Sequence, residues 1–322
     1  MTIERESLSG GEQRRALVTG GAGFVGSCVA NVLQDRGWQV EALDNLSTGD
    51  AANVPLGVKL HVGDIQSDSD IQTAMRGAAF DAVVHCAAQT SVERSMKDPE
   101  LDRATNVLGT RRLAAAARKA GVGRFVFLSS GGAIYGETDE PADERALLAP
   151  LSCYGRNKLM AEEEVREAGL SYCILRPSNV YGPGQRSDPE GGVVAIFRER
   201  LLGRKPLEIH CGGEQVRDFL YVMDVAAAVV AALSIQRNAI WNVASGEATR
   251  IIDLASVMAA LVGSPLEVRH HPRRAGDVGR SLLSPATLLS TGLWGPPLPL
   301  IDGLRLTLAP APEAVPVAVP EQ

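Results

Sequence analysis

The sequence predicts an α/β chain built on an open, doubly wound parallel sheet, with a smaller C-terminal lobe interleaved in sequence. Two observations carry that prediction. In the N-terminal half, short apolar runs alternate with segments of helical periodicity, the pattern of repeated βαβ units. The first apolar run, Ala16-Leu17-Val18-Thr19, leads straight into Gly20-Gly21-Ala22-Gly23-Phe24-Val25-Gly26. A glycine-rich turn between a strand and a helix is where such a sheet receives a pyrophosphate.

The elements follow in order. Ser27 to Asp35 reads as a helix closed by Gly37, and Val40 to Leu43 as a second strand ending at Asp44. Lys59 to Val62, Ala82 to His85 and Phe125 to Leu128 are the third, fourth and fifth strands, and Tyr172 to Leu175 is a sixth, ending at Arg176-Pro177. Ligands in these sheets bind beyond the carboxyl ends of the strands, and each motif below lies at one of those ends. After Pro177 the pattern changes. A turn, Tyr181-Gly182-Pro183-Gly184, opens irregular sequence to Gly192, then a helix over Val193 to Leu202 and strand-like pieces around Leu207 to His210. The expected organisation is a loose arm at 1–14, a Rossmann domain over 15–180 with 216–245 packing back on it, a substrate lobe from 181–215 and 246–307, and a Pro/Ala-rich extended tail at 308–322.

The 322 residues suffice for one large core or two smaller ones. A formal net charge of -6 without a basic stripe argues against nucleic acid as a partner, though not against an arginine pocket for one phosphorylated ligand. Five scattered cysteines without Cys-x-x-Cys spacing read as reduced thiols in a cytoplasmic protein that holds no metal. No apolar run approaches the length of a membrane span, and Met1 to Arg15 has no signal-peptide core.

The glycine turn is the cofactor signal, informative because it follows a strand and opens a helix. Asp44 lies 18 residues past Gly26, placed to accept hydrogen bonds from an adenosine ribose and to disfavour the extra phosphate of NADP. NAD is the cofactor expected. Asp64-Ile65, after the third strand, is a candidate to flank adenine, while Asp64 equally reads as an N-cap of a helix over Ser67 to Met75. Cys86-Ala87-Ala88 offers small side chains where a backbone must approach a ribose. Asn106, taken on composition alone, reads as a solvent-exposed residue of a helix.

Tyr154 and Lys158, four residues apart, share one face of a helix. A phenol titrates near 10, too high for a base at neutral pH. A neighbouring ammonium and a positively charged nicotinamide both favour the phenolate, which suits proton abstraction from a sugar or alcohol hydroxyl.

Together with the glycine turn, the segments His85-Cys86-Ala87-Ala88-Gln89, Tyr154-Gly155-Arg156-Asn157-Lys158, Leu175-Arg176-Pro177-Ser178-Asn179-Val180-Tyr181-Gly182-Pro183, Gln215-Val216-Arg217-Asp218-Phe219 and Arg274-Ala275-Gly276-Asp277 occur in a distinctive order. In this the chain resembles the extended short-chain dehydrogenase/reductase family, specifically the NAD-dependent sugar-nucleotide epimerases and dehydratases. The resemblance implies that Tyr154 is the base, that Lys158 binds the nicotinamide ribose and tunes Tyr154, and that Gly20, Gly23, Phe24, Val25, Gly26, Asp44, Asn45, Asp64, Ile65, Cys86, Ala87, Ala88, Asn106, Ser129 and Pro177 line the cofactor. It implies substrate contacts from Ser91, Ser130, Asn179, Arg186, Val193, Arg217, Arg274 and Asp277, with the arginines forking around a UDP diphosphate. Family members that dehydrate the sugar carry an Asp-Glu pair in the loop after the fifth strand. Here that loop reads Ser129-Ser130-Gly131-Gly132-Ala133-Ile134-Tyr135-Gly136, without a carboxylate. The resemblance therefore implies a 4-epimerase working through a 4-keto sugar, with NAD retained through turnover; the alternatives are a sugar-nucleotide dehydratase or reductase, or a non-catalytic NAD-binding scaffold.

Many of these epimerases place a Ser or Thr where this chain has Gly131, so Ser130 is the hydroxyl expected to bridge the sugar O4 and Tyr154, with Ser129 second. Arg186 stands where neutral-sugar epimerases show Asp and uronate epimerases show Arg, which points first to UDP-glucuronate and otherwise to UDP-glucose or its N-acetyl counterpart. The helices from about Thr105 to Ala120 and from Tyr154 to Glu167 resemble those of the family's four-helix dimer interface, implying a homodimer.

Overall fold

The computed structural model describes residues 13–188, 191–272 and 278–309. Seven parallel strands form the central sheet: β1 (Arg15–Thr19), β2 (Gln39–Asp44), β3 (Lys59–Val62), β4 (Ala82–His85), β5 (Arg124–Leu128), β6 (Tyr172–Pro177) and β7 (Ala239–Val243). Their order is β7-β6-β5-β4-β1-β2-β3. The order reverses between β1 and β4, and this crevice is where a doubly wound sheet takes its ligand.

Strand sequences rich in Val, Leu, Ile and Phe follow from burial on both faces. One apolar cluster packs Val29, Ala30 and Leu33 of helix α1 (Phe24–Asp35) with Val225, Ala228, Val229 and Ala232 of a helix over Val222–Ser234. The opposite cluster takes Ile71, Leu113, Ala117, Ala161 and Val165 from helices α2 (Asp68–Met75), α3 (Thr110–Lys119) and α4 (Cys153–Glu167). A third cluster, around Tyr181, Phe197, Leu207, Phe219, Leu254 and Met258, sits apart from the sheet.

Several boundaries differ from the sequence expectation. Helix α1 begins at Phe24 rather than Ser27, because Ser27 N already bonds Gly23 O at 3.0 Å. The expected helix from Thr105 to Ala120 is a π-helical segment, Ala104–Gly109, followed by α3. Strand β7 has no counterpart in the expectation; it pairs with β6 from Ala239 beside Cys173 to Val243 beside Pro177. Asp64 is no helix N-cap: Ser67 caps α2, its side chain accepting from Asp70 N. The chain then doubles back over the loop after β5, where Ala142 N bonds Leu282 O at 2.9 Å and Ser284 N bonds Ala142 O at 2.9 Å. Leu308 ends a helix over Leu300–Leu308. Arg274, Asp277 and the tail beyond 309 lie outside the described residues.

Candidate active site

The glycine turn is shaped by what it excludes. Gly20 has φ of 68°, and a Cβ there would lie 2.7 Å from Ala87 N; a Cβ on Gly26 would lie 2.0 Å from Gly20 O. Backbone from β1, α1 and the loop after β4 thus meets at one point, at the N-terminus of α1, where orphan amides suit a phosphate. Asp44 is buried at the end of β2 and accepts from Ala22 N at 3.0 Å and from Leu46 N at 2.8 Å. Each oxygen keeps a further lone pair, so the carboxylate braces the turn while remaining an acceptor. Asn45 donates to Asp64 at 2.8 Å, joining the ends of β2 and β3, and Ile65 is buried beneath them against Gly109. The cradle that only glycines fill and the acidic residue beside it fit a dinucleotide. Among the described residues, no cluster of His, Cys, Asp or Glu could hold a metal.

The second half of the site lies beyond β4, β5 and β6. Ser152 caps α4 by accepting from Gly155 N, and Tyr154 N is held by Ser95 Oγ at 3.0 Å. Tyr154 is buried, and the Ser130 side chain is near enough to favour its phenolate. Lys158 is also buried: its Nζ donates to Leu128 O at 2.6 Å and stands 4.3 Å above the Phe127 ring. Burial pushes the Tyr154 phenol up to about 12; Ser130 pulls it down and Asp102 pushes it further up. Burial pushes Lys158 down to about 8, against the opposing charge of Glu162, Cys86 and Asp102. The lowered phenol expected beside the ammonium is therefore not a property of the protein's own groups, because burial outweighs them.

Ser129 differs from the expectation. Its Oγ donates to the buried Glu162 at 2.6 Å, two turns along α4 from Tyr154. Glu162 also takes Arg176 Nε at 2.9 Å and Nη2 at 2.7 Å, while Arg176 Nη1 donates to the Tyr135 hydroxyl. That hydroxyl in turn donates to Asn242 Oδ1 at 2.8 Å. This buried assembly fixes the loop after β5 against α4 and β6, and the sequence reading missed it. Gly131 has no room for a side chain: a Cβ would lie 2.4 Å from Leu283 Cδ1 and 2.9 Å from Arg176 O.

Asn106 is buried rather than exposed. Its amide brackets Gln89, accepting from Gln89 N at 3.0 Å and donating to Gln89 O at 2.9 Å, and so locks the loop after Cys86-Ala87-Ala88. Ser91 is a buried N-cap for the short helix Val92–Lys97. Asn179 follows β6 beside Gly132, and Arg217 is half-buried on the strand Val216–Arg217, its Nη1 bonded to Val216 O. Pro177 ends β6, and Val193 opens the helix Val193–Leu202. Arg186 departs from its expected role. Its Nη1 donates to Thr48 O at 3.0 Å, in the loop after Asp44, and its guanidinium pairs with Asp188.

The glycine cradle, the acidic end of β2 and the tyrosine and lysine on α4 define a dinucleotide enzyme of the short-chain dehydrogenase/reductase type. Residues 16–244 match the family model of the NAD dependent epimerase/dehydratase family, and the chain belongs to that family. A putative UDP-glucose 4-epimerase of Methanocaldococcus jannaschii is 38% identical over 296 residues, 90% of this chain and 95% of that one. The crystal structure of the Thermus thermophilus UDP-glucose 4-epimerase in complex with NAD is similar with a TM-score of 0.87 and 41% identity, over 91% of this chain and 97% of that one. The Thermotoga maritima UDP-glucose 4-epimerase with UDP-glucose gives a TM-score of 0.88 and 38% identity, over the same shares of 91% and 97%. NAD is the cofactor of this protein.

Proposed function

We propose that this protein is a UDP-glucose 4-epimerase, an NAD-dependent isomerase that inverts C4 of a UDP-hexose through a 4-keto sugar. The observation that carries the reading is the buried Tyr154–Lys158 pair at the end of a loop where the dehydratases' carboxylate pair is missing. Elimination of water from C5 and C6 needs an extra acid and base; inversion at C4 needs one group that takes a proton and returns it. Tyr154 does this at the sugar O4, with Ser130 bridging the two oxygens. Bound NAD supplies the redox partner for C4. Lys158 holds a positive charge beside the reacting end, the diphosphate is contacted by Asn179 and gripped by Arg217 and Arg274, and Asp277 helps to hold the nucleotide end.

The neutral sugar displaces the uronate as first reading. Arg186 spends its guanidinium on Asp188 and Thr48 O, and the similar epimerases of Methanocaldococcus and Thermus are UDP-glucose enzymes by name. Among the described residues no helix is long and apolar enough to cross a membrane, in keeping with the cytoplasmic setting we propose. We also propose a homodimer through α3 and α4, where Arg111 clamps Glu164 at 2.7 and 2.5 Å; a monomeric mass by light scattering would end that proposal.

The test is proton NMR of the purified protein with UDP-glucose and, separately, UDP-glucuronate, without added NAD. A galacto-configured anomeric signal from UDP-glucose is the expected result. Signal from the uronate alone would return Arg186 to the sugar, and silence from both, repeated with NAD supplied, would defeat the epimerase reading.

A further inference from the structure

Asp102 is a carboxylate outside the set of groups that would touch cofactor or substrate. It lies on the short helix Pro99–Arg103 and is fully buried. Among the described residues no arginine or lysine lies within ion-pair distance of it, whereas the other buried carboxylate near α4, Glu162, is met by Arg176. All three hydrogen bonds to Asp102 come from side-chain amides. Gln89 Nε2 reaches Oδ1 at 2.6 Å, Asn106 Nδ2 reaches Oδ1 at 3.0 Å and Asn157 Nδ2 reaches Oδ2 at 2.6 Å. An ion buried on neutral donors alone costs several kcal/mol.

The three amides come from the parts of the site that must be held in register. Gln89 follows Cys86-Ala87-Ala88 and accepts from Ser91 N at 2.6 Å. Asn106 brackets Gln89 from the π-helical segment, an interruption that often marks functional sites. Asn157 sits between Tyr154 and Lys158 on α4.

We propose that Asp102 is a positioning residue of the epimerisation: it gathers Gln89, Asn106 and Asn157 so that the loop after β4 and the tyrosine-lysine turn of α4 keep one alignment. The proposal rests on Tyr154 being the base. Asp102 is the charged group that bears on that base, while Glu162, Cys86, His85 and Asp102 bear on Lys158, one turn along the same helix. Asp102 pushes both Tyr154 and Lys158 upward. It opposes the burial that lowers the lysine and adds to the burial that raises the phenol.

Two variants of the full-length enzyme test this, with kcat followed from pH 5 to 10. A base works only when deprotonated, so kcat falls on the acid side through the pKa of Tyr154 in the complex. Asp102→Asn removes the negative charge, and its acid limb moves down by about one pH unit. Its kcat drops about tenfold as alignment is lost, with KM changed far less. Asn157→Ala takes one donor from the carboxylate, leaves its charge less compensated, and moves the acid limb up. Opposite shifts support the inference. A fall in kcat or melting temperature with both limbs in place means that Asp102 is merely structural and overturns it. If Asp102→Asn does not fold, Asn157→Ala decides alone, an unmoved limb being the negative result. Tyr154→Phe runs in parallel: if that variant turns over at the parent rate, the base reading falls and takes this inference with it. If it is inactive while the limbs stay put, only the role of Asp102 falls.

Discussion

Two adjacent serines open the loop after β5, and the structure gives them opposite tasks. Ser130 favours the Tyr154 phenolate, while Ser129 donates to the buried Glu162. Composition and spacing do not separate them; the separation comes from which way each side chain leaves an extended strand end, since neighbours in a strand point to opposite faces. Their substitution by alanine should therefore read out differently. Tyr154→Phe removes the base and lowers kcat by roughly 10²–10⁴, the span of general acid-base catalysis. Ser130→Ala lowers kcat by less and moves the acid limb to higher pH, because the hydroxyl that holds the phenol down is gone. Ser129→Ala leaves the pH profile alone and costs about 1.5–3 kcal/mol of stability, as a buried hydrogen bond to a charged group does. Equal kcat losses in the two serine variants would show that the assignment is wrong.

The elements visible in the sequence are those whose signal is local. Six strands of the sheet, the helix after the glycine turn and the helix carrying Tyr154 and Lys158 announce themselves by apolar runs, glycine and period. What stays hidden depends on partners distant in the chain. Strand β7 is visible only as the neighbour of β6, 66 positions earlier at Ala239 and Cys173. The Glu162–Arg176–Tyr135–Asn242 assembly joins four separate segments, and Asn106 looks like a surface residue until Gln89 folds onto it. Arg186 misleads because Asp188, two residues on, claims its guanidinium. Gly131 is the instructive case. The place where many related epimerases carry a hydroxyl is closed here by Arg176 O on one side and Leu283 on the other, from the segment that doubles back over the loop. Gly131→Ser should not improve catalysis. It should cost about 1–3 kcal/mol by overpacking and lower kcat by displacing Ser130. Leu283→Ala in the same chain should recover part of the stability, since it clears the flexible neighbour while the Arg176 carbonyl stays. A variant more active and as stable as the parent would contradict the packing seen around this loop.

At the scale of the whole molecule, two halves of the site are joined through one buried histidine. His85 ends β4 with Nδ1 2.7 Å from Thr19 Oγ1 at the end of β1, and Nε2 2.9 Å from Thr110 Oγ1 at the start of α3. Its ring stacks on Phe127, the residue over which Lys158 stands. Burial, reinforced by the nearby Lys158 charge, pushes its pKa from 6.5 down to about 3. The unfolded chain therefore binds a proton near pH 6.5 that the folded chain refuses until about pH 3. Stability is then complete above about 6.5 and falls as the pH drops through that window. At pH 5 the imidazole alone accounts for about 2 kcal/mol of lost stability, from roughly 1.4 kcal/mol per pH unit. At that pH ordinary carboxylates, which titrate near 4, have lost little of their charge. Calorimetry at pH 8 and pH 5 measures the loss in the parent, and His85→Gln, which keeps a donor and an acceptor for the two threonines without titrating, should flatten it. The acid sensitivity belongs to the junction itself: a neutral ring is the form that lets the sheet, the glycine turn and α3 close on one another without leaving a charge between them. An equal loss in the variant would mean that the acid weakness of the fold lies elsewhere.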